Sequence, residues 1–222
     1  MRAVLFDAGN TLVFLDYERI ARGVGAALEV PLTQDQLARH ADEAARAMER
    51  AGSDQERATA YLEALFLLAG IPAERMGEVR KTLVEMHGER HLWCLVPEQT
   101  RDALDRLKAA GLRLAVVSNS EGRVQQALEA AQLRDYFDVV IDSGLIGIEK
   151  PDPRIFHAAL QELGVDAAEA LYVGDLYDID IVGARAAGIE AVLLGGAGDP
   201  ARPCRTTASI KDLADALLAG PS

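Results

Sequence analysis

Along this chain the apolar positions keep two rhythms. Residues 3–6, AVLF, form a short continuous apolar run of the kind carried by a strand covered on both faces. From about residue 16 to 91 no such run recurs, and helical spacing takes over. Two S/T-x-x-E/Q patterns, Thr33 with Gln36 and Ser53 with Glu56, mark helix starts. Gly52 and Gly70 fall where helices should stop, and Pro72 follows the second. Four helices are predicted here, roughly over 16–28, 34–51, 54–69 and 73–91. After Pro97 strand and helix alternate. Helices are predicted over 98–110, 122–131, 152–163, 178–187 and about 210–219; strands over 113–119, 138–141, 170–175 and 191–194; and a loop over 195–205. Gly111, Gly164 and Gly188 end helices, while Asp152 and Pro153 start one. This alternation implies right-handed crossovers and a parallel sheet covered on both faces. The expected fold class is therefore α/β: a parallel-sheet core of residues 1–14 and 92–222, interrupted after its first strand by an all-helical insert at 15–91.

Composition narrows the partners. Half of the 222 residues are hydrophobic, which suits a packed core. The net charge of −12 disfavours nucleic acid or an anionic membrane as partner, because no basic excess offsets phosphate repulsion. No apolar run approaches the roughly 18 residues of a membrane span. The first residues run straight into a strand with no charged-then-apolar leader, and Cys94 and Cys204 form no disulfide or metal pattern, so a cytoplasmic setting is expected.

The polar residues fall at particular places. Asp7 ends the first strand, Ser118 and Asn119 the next, and Asp175 a third, with Asp178 and Asp180 close behind. Parallel α/β sheets bind ligands at the carboxyl ends of their strands, so these groups should converge. Two carboxylates about 4 Å apart repel by roughly 4 kcal/mol at an effective dielectric near 20. Converging acids therefore call for a cation, a shared proton or a lysine. Hard oxygen ligands without histidine or thiolate suggest Mg²⁺. Lys150, in EKPDP, is the obvious organic cation, one of only four lysines in the chain.

FDAGNTL, VVSNS, EKPDP and VGDLYDID, in that order and spacing, resemble the four motifs of the haloacid dehalogenase superfamily, whose core is Rossmann-like. The helical insert sits where that family carries its first type of cap. The resemblance implies roles. Asp7 resembles the nucleophile that forms an aspartyl phosphate. Ser118 resembles the hydroxyl that holds phosphoryl oxygens, helped by N–H groups near Asn119. Lys150 resembles the residue that neutralises the nucleophile and the phosphoryl group. Asp175, with Asp7 and the carbonyl of Gly9, resembles the Mg²⁺ ligand set, and Asp180 the second acid of the fourth motif. Gly9 departs from the phosphatase pattern, in which a second aspartate protonates the leaving oxygen. A cap acid such as Asp16 or Glu18 is a possible replacement.

Blander roles stand beside these. Asp178 is expected to cap the following helix. His40, His87, His91 and His157 lack ligand spacing and read as structural or exposed; Phe14, Tyr17 and Trp93 read as packing beside the insert's ends; Glu121 and Arg123 read as a solvated helix start. Three function classes compete: a Mg²⁺-dependent phosphatase of a small phosphorylated metabolite; a metal-independent haloacid dehalogenase or a phosphonate hydrolase; and a weakly active or inactive member kept for binding. Asp175 and Asp180 argue against the dehalogenase. Lys81, the one lysine of the insert, gives little support to a Schiff-base phosphonate hydrolase. Gly9 is the main support for the third. Substrate identity and oligomeric state are not legible.

Overall fold

The computed structural model describes residues 1–48, 54–195 and 202–219. In chain order it runs β1 (Ala3–Phe6), β2 (Phe14–Leu15), α1 (Tyr17–Leu28), α2 (Gln34–Arg39), α3 (Ala41–Met48), α4 (Asp54–Leu68), α5 (Met76–Glu89), β3 (Trp93–Leu95) and α6 (Thr100–Ala109). It continues with β4 (Arg113–Ser118), α7 (Val124–Ala130), β5 (Val139–Asp142), α8 (Ser143–Ile146), α9 (Pro153–Leu163), β6 (Ala170–Gly174), α10 (Val182–Ala186), β7 (Glu190–Leu194), β8 (Arg205–Thr207) and α11 (Ile210–Leu218).

The chain divides into two compact units, Met1–Phe14 with Cys94–Ser222, and Leu15–Trp93. The first is an α/β layer structure. Its six strands lie in the order β5-β4-β1-β6-β7-β8, every pair parallel. The register sets Leu5 beside Ala115 and Tyr172, and Ser118 beside Asp142. Because side chains alternate along a strand, Ala3, Leu5, Ala115, Val117, Ala170 and Tyr172 share one face, where Ile155, Phe156 and Ala159 of α9 cover them. β1 is fully buried along its length, as a central parallel strand should be. Its continuous apolar run thus places the residue after it, Asp7, at the carboxyl edge between two neighbours.

The second unit is helical. α1 packs on α2 and α5, and α3 on α4. Ile20, Val24, Leu37, Leu65, Phe66 and Val79 form its core. Its two ends are tied together. Asp16 donates its N–H to the Leu92 carbonyl at 3.0 Å. The Asp16 carboxylate caps α1 through the Arg19 N–H and accepts from Arg90 at 2.8 Å. The Arg19 guanidinium donates to the carbonyls of Met86, Arg90 and His91.

Several expected elements take a different form. The helix expected over 34–51 is capped by the anticipated Thr33–Gln36 box but breaks at His40. The break lets Leu37 of α2 and Ala44 of α3 reach the same apolar core. Gly52 and the Ser53–Glu56 pattern include residues outside those described. The helix expected over 73–91 opens as a 3₁₀ turn over Ala73–Arg75. β8 begins at the last residue of the expected loop and runs on past it, and β2 and β3 form a small two-stranded sheet that was not anticipated. The helix expected over 178–187 becomes a wide turn, Tyr177–Ile181, in which the Val182 N–H reaches the Tyr177 carbonyl, followed by the short α10. Asp178 caps nothing: it is exposed and pairs with Arg202 at 3.3 Å. Among the described residues no helix is long and apolar enough to cross a membrane.

Candidate active site

The site begins with strand ends. β1 delivers Asp7, whose N–H donates to the Val173 carbonyl of β6 at 2.8 Å. The chain then turns sharply, with Asn10 in the left-handed region (φ 52°), and the N–H groups of Leu12 and Val13 both return to the Ala8 carbonyl. β6 delivers Asp175. The wide turn after it folds Asp180 back, so that its Oδ2 accepts the Leu176 N–H at 2.9 Å. Gly174 makes room for this: a Cβ there would lie 2.3 Å from the Asp180 Cγ.

Lys150 sits among these acids, and 3% of it is exposed. Its ammonium donates to Asp7 Oδ1 at 2.6 Å and to Asp180 Oδ1 at 2.7 Å. A third partner was not anticipated from sequence: the Tyr172 hydroxyl, 3.0 Å away. Its signal was present, since a tyrosine inside a buried apolar strand needs a partner for its hydroxyl. The loop that carries Lys150 is held by Asn119. The Asn119 amide donates to the Lys150 carbonyl at 3.0 Å, and the Lys150 N–H donates to Asn119 Oδ1 at 2.7 Å. Beyond Lys150, the helix start reads as expected: Asp152 accepts the Arg154 N–H and Pro153 opens α9.

Ser118 closes β4 and is buried, its hydroxyl 3.3 Å from the Asn119 carbonyl. The loop after it is fixed by a further buried acid that sequence reasoning missed. Asp142, at the end of β5, accepts the N–H groups of Gly122, Val124 and Gly144 at 2.9–3.0 Å. Ser143 adds a hydrogen bond from the Ser120 N–H at 3.0 Å.

The electrostatics follow from this crowding. Burial is the largest influence on Asp7 and raises its pKa; Lys150 lowers it and Asp180 raises it again, leaving it at about 6. Burial, then Asp7 and Asp180, push Asp175 well above the ordinary carboxylate range. For Lys150 burial opposes the charge, but Asp180 and Asp7 outweigh it and hold the ammonium above its ordinary value. Carboxylate oxygens of Asp7, Asp175 and Asp180 lie within 4.8 Å of one another. Three acids against one lysine leave an excess of negative charge and an all-oxygen donor set, which fits a hard divalent cation. Both oxygens of Asp180 accept hydrogen bonds, Oδ1 from Lys150 and Oδ2 from the Leu176 N–H, while Asp7 meets Lys150 through Oδ1. Asp16, considered as a replacement acid, is committed within the helical unit to Arg19 and Arg90.

Comparison with known proteins bears on this arrangement. The family model of the haloacid dehalogenase-like hydrolases matches residues 1–188. The chain is 34% identical over 209 residues to mouse "Haloacid dehalogenase-like hydrolase domain-containing protein 3", covering 88% of this chain and 82% of that one. Matches to three other vertebrate proteins of that name span 52–53% of their length. It is 31% identical to a glyceraldehyde 3-phosphate phosphatase of Methanopyrus kandleri, covering 86% of this chain and 83% of that one. Among solved structures, a magnesium-bound putative HAD-hydrolase of Bacillus subtilis shares the fold with a TM-score of 0.70, at 21% identity over 97% of this chain and 98% of that one.

Proposed function

Because the chain belongs to the haloacid dehalogenase-like hydrolases, we propose that it is a Mg²⁺-dependent phosphatase of small phosphorylated metabolites that works through an aspartyl phosphate on Asp7. The observation that carries this reading is the 2.6 Å contact between Lys150 and a buried carboxylate at the end of the central strand, with two more acids beside it. Asp7 attacks phosphorus, the bond to the leaving oxygen breaks, and water then cleaves the acyl phosphate. Lys150 offsets the charge of Asp7 and of the transferred group, since phosphoryl transfer depends mainly on positioning and neutralisation. Asp7, Asp175 and the carbonyl of Gly9 would hold Mg²⁺, which when bound supplies charge neutralisation at the phosphoryl oxygens. Ser118 and the N–H groups of the loop after it, held by Asp142, receive those oxygens. The helical unit takes the part of the cap. A relative named for glyceraldehyde 3-phosphate supports a small monoester as substrate class.

The test is hydrolysis of p-nitrophenyl phosphate by the parent and by Asp7→Asn, with and without Mg²⁺. The parent should turn over only with Mg²⁺ and the amide variant, equal in volume but unable to attack, should be inactive. Turnover by Asp7→Asn at the parent rate would falsify the aspartyl-phosphate reading. Chloride release from 2-chloroacetate without metal is the parallel assay for dehalogenase chemistry.

A further inference from the structure

We propose that Tyr172 is a positioning residue for this reaction: its hydroxyl is the third acceptor that fixes the Lys150 ammonium against Asp7. This rests on the reading of Asp7 and Lys150 as the reacting pair.

An ammonium has three N–H donors and no acceptor. Those of Lys150 meet three acceptors on three elements: Asp7 after β1, Asp180 in the turn after β6, and Tyr172 within β6. With the side chain 2% exposed, bulk water is not there to take the third donor. The hydroxyl is in turn fixed. It lies 3.0 Å from Asp180 Oδ1 and 3.2 Å from the Val117 carbonyl, one residue before Ser118. The ring has no freedom either: it is fully buried and meets Phe156 edge-on at 4.9 Å between centroids. Tyr172 therefore joins the strand ending in Ser118, the lysine and the buried Asp180 through one oxygen atom.

The need for such a device lies in the lysine itself. Its four-carbon stem is flexible and its head is a point charge without directional fork, so orientation must come from its acceptors. With two acidic acceptors alone, the ammonium can rotate or slide between Asp7 and Asp180. A third, neutral acceptor on a rigid strand removes that freedom without adding charge. It thereby also holds the Asp7 carboxylate, through Oδ1, in one rotation.

The experiment uses Tyr172→Phe, which keeps the ring packing, and two measurements. The first is independent of turnover: ¹⁵N-lysine labelling gives only four ammonium signals, from Lys81, Lys108, Lys150 and Lys211, and Lys150 is the one buried. Hydrogen exchange at the Lys150 ammonium should speed up by about tenfold or more in the variant, since a hydrogen bond to a charged group is lost. The second is p-nitrophenyl phosphate hydrolysis, in which kcat should fall about tenfold with KM little changed, as for an interaction that matters in the transition state. Unchanged Lys150 exchange overturns the proposal, as does unchanged kcat in an active enzyme. A parent without phosphatase activity would refute the proposed function instead, and the exchange measurement would still decide the role of Tyr172. A purely structural role would lower Tm while leaving kcat per folded molecule and Lys150 exchange as in the parent.

Discussion

At the scale of single residues, Gly9 shapes the expected chemistry most. Where no other group supplies the proton that an acid there would give, rates should depend steeply on how well the leaving oxygen departs. Aryl and acyl phosphates should then react faster than alkyl monoesters, the proposed metabolite class included. Gly9→Asp should raise the alkyl rate more than the aryl rate, because a proton donor helps the poorer leaving group most. A tenfold gain corresponds to about 1.4 kcal/mol of barrier. The left-handed position of the turn belongs to Asn10, not Gly9, so the backbone does not resist the substitution. The check is the ratio of glycerol phosphate to p-nitrophenyl phosphate turnover in variant and parent; an unchanged ratio would show that another group already acts as acid. Asp7 and Asp175 stood out in the sequence because polar residues at the ends of apolar runs are conspicuous, Lys150 as one of four lysines beside Pro-Asp-Pro, and Asp180 as the second acid of its motif. Tyr172 and Asp142 did not. Tyr172 sits inside a strand, where only the packing of neighbours from distant parts of the chain shows what its hydroxyl meets. Asp142 closes β5 as the other acids follow their strands, but it falls in none of the four motifs, and the Gly122 and Val124 N–H groups it accepts lie in a distant loop.

At the scale of elements, the junction between β6 and α10 carries a tight constraint. Asp180 folds over Gly174, and that approach sets its carboxylate on Lys150. Gly174→Ala should destabilise the protein by roughly 1–3 kcal/mol, as overpacking of a buried site does. It should also lower activity by displacing Asp180. Urea unfolding with an unchanged midpoint would count against this account. The same junction explains a misread element. Local pattern favours a helix from 178, but the carboxylate of Asp180 binds backward to the Leu176 N–H, and the chain widens into a turn first. The other differences have a similar origin. β8, with sequence RTT, has no apolar run to reveal it, since it is a short edge strand with two of three residues exposed. The strands buried in the middle of the sheet were legible for the opposite reason: β1, β4 and β6 are covered on both faces and read as unbroken apolar stretches.

At the scale of the whole molecule, the acid cluster should link stability to pH and to a divalent cation. The folded pKa of Asp7, about 6, lies above its ordinary 3.8, so the folded state holds that proton more tightly. The stability this contributes is fully present below pH 3.8 and is lost as pH rises through about 6. Asp175 is raised in the same sense. The metal-free protein should therefore carry more repulsion at pH 7.5 than at pH 5, and a divalent cation should relieve it. Thermal unfolding should show a larger rise in Tm with 10 mM (roughly, a saturating excess) MgCl₂ at pH 7.5 than at pH 5; equal shifts at both would speak against a carboxylate site. One further consequence follows from the joined ends of the helical unit. Asp16 and Leu92 are a single hydrogen bond apart, reinforced by Arg19 and Arg90. For the polymer, an excursion that closes on itself costs an entropy that grows only with the logarithm of its length, about 0.6 kcal/mol per doubling. The excursion meets that cost by its own folding, so the sheet experiences it as little more than a hairpin. Over descent, such an insert can lengthen, shrink or be exchanged at the same two points while the strands that carry the chemistry keep their order.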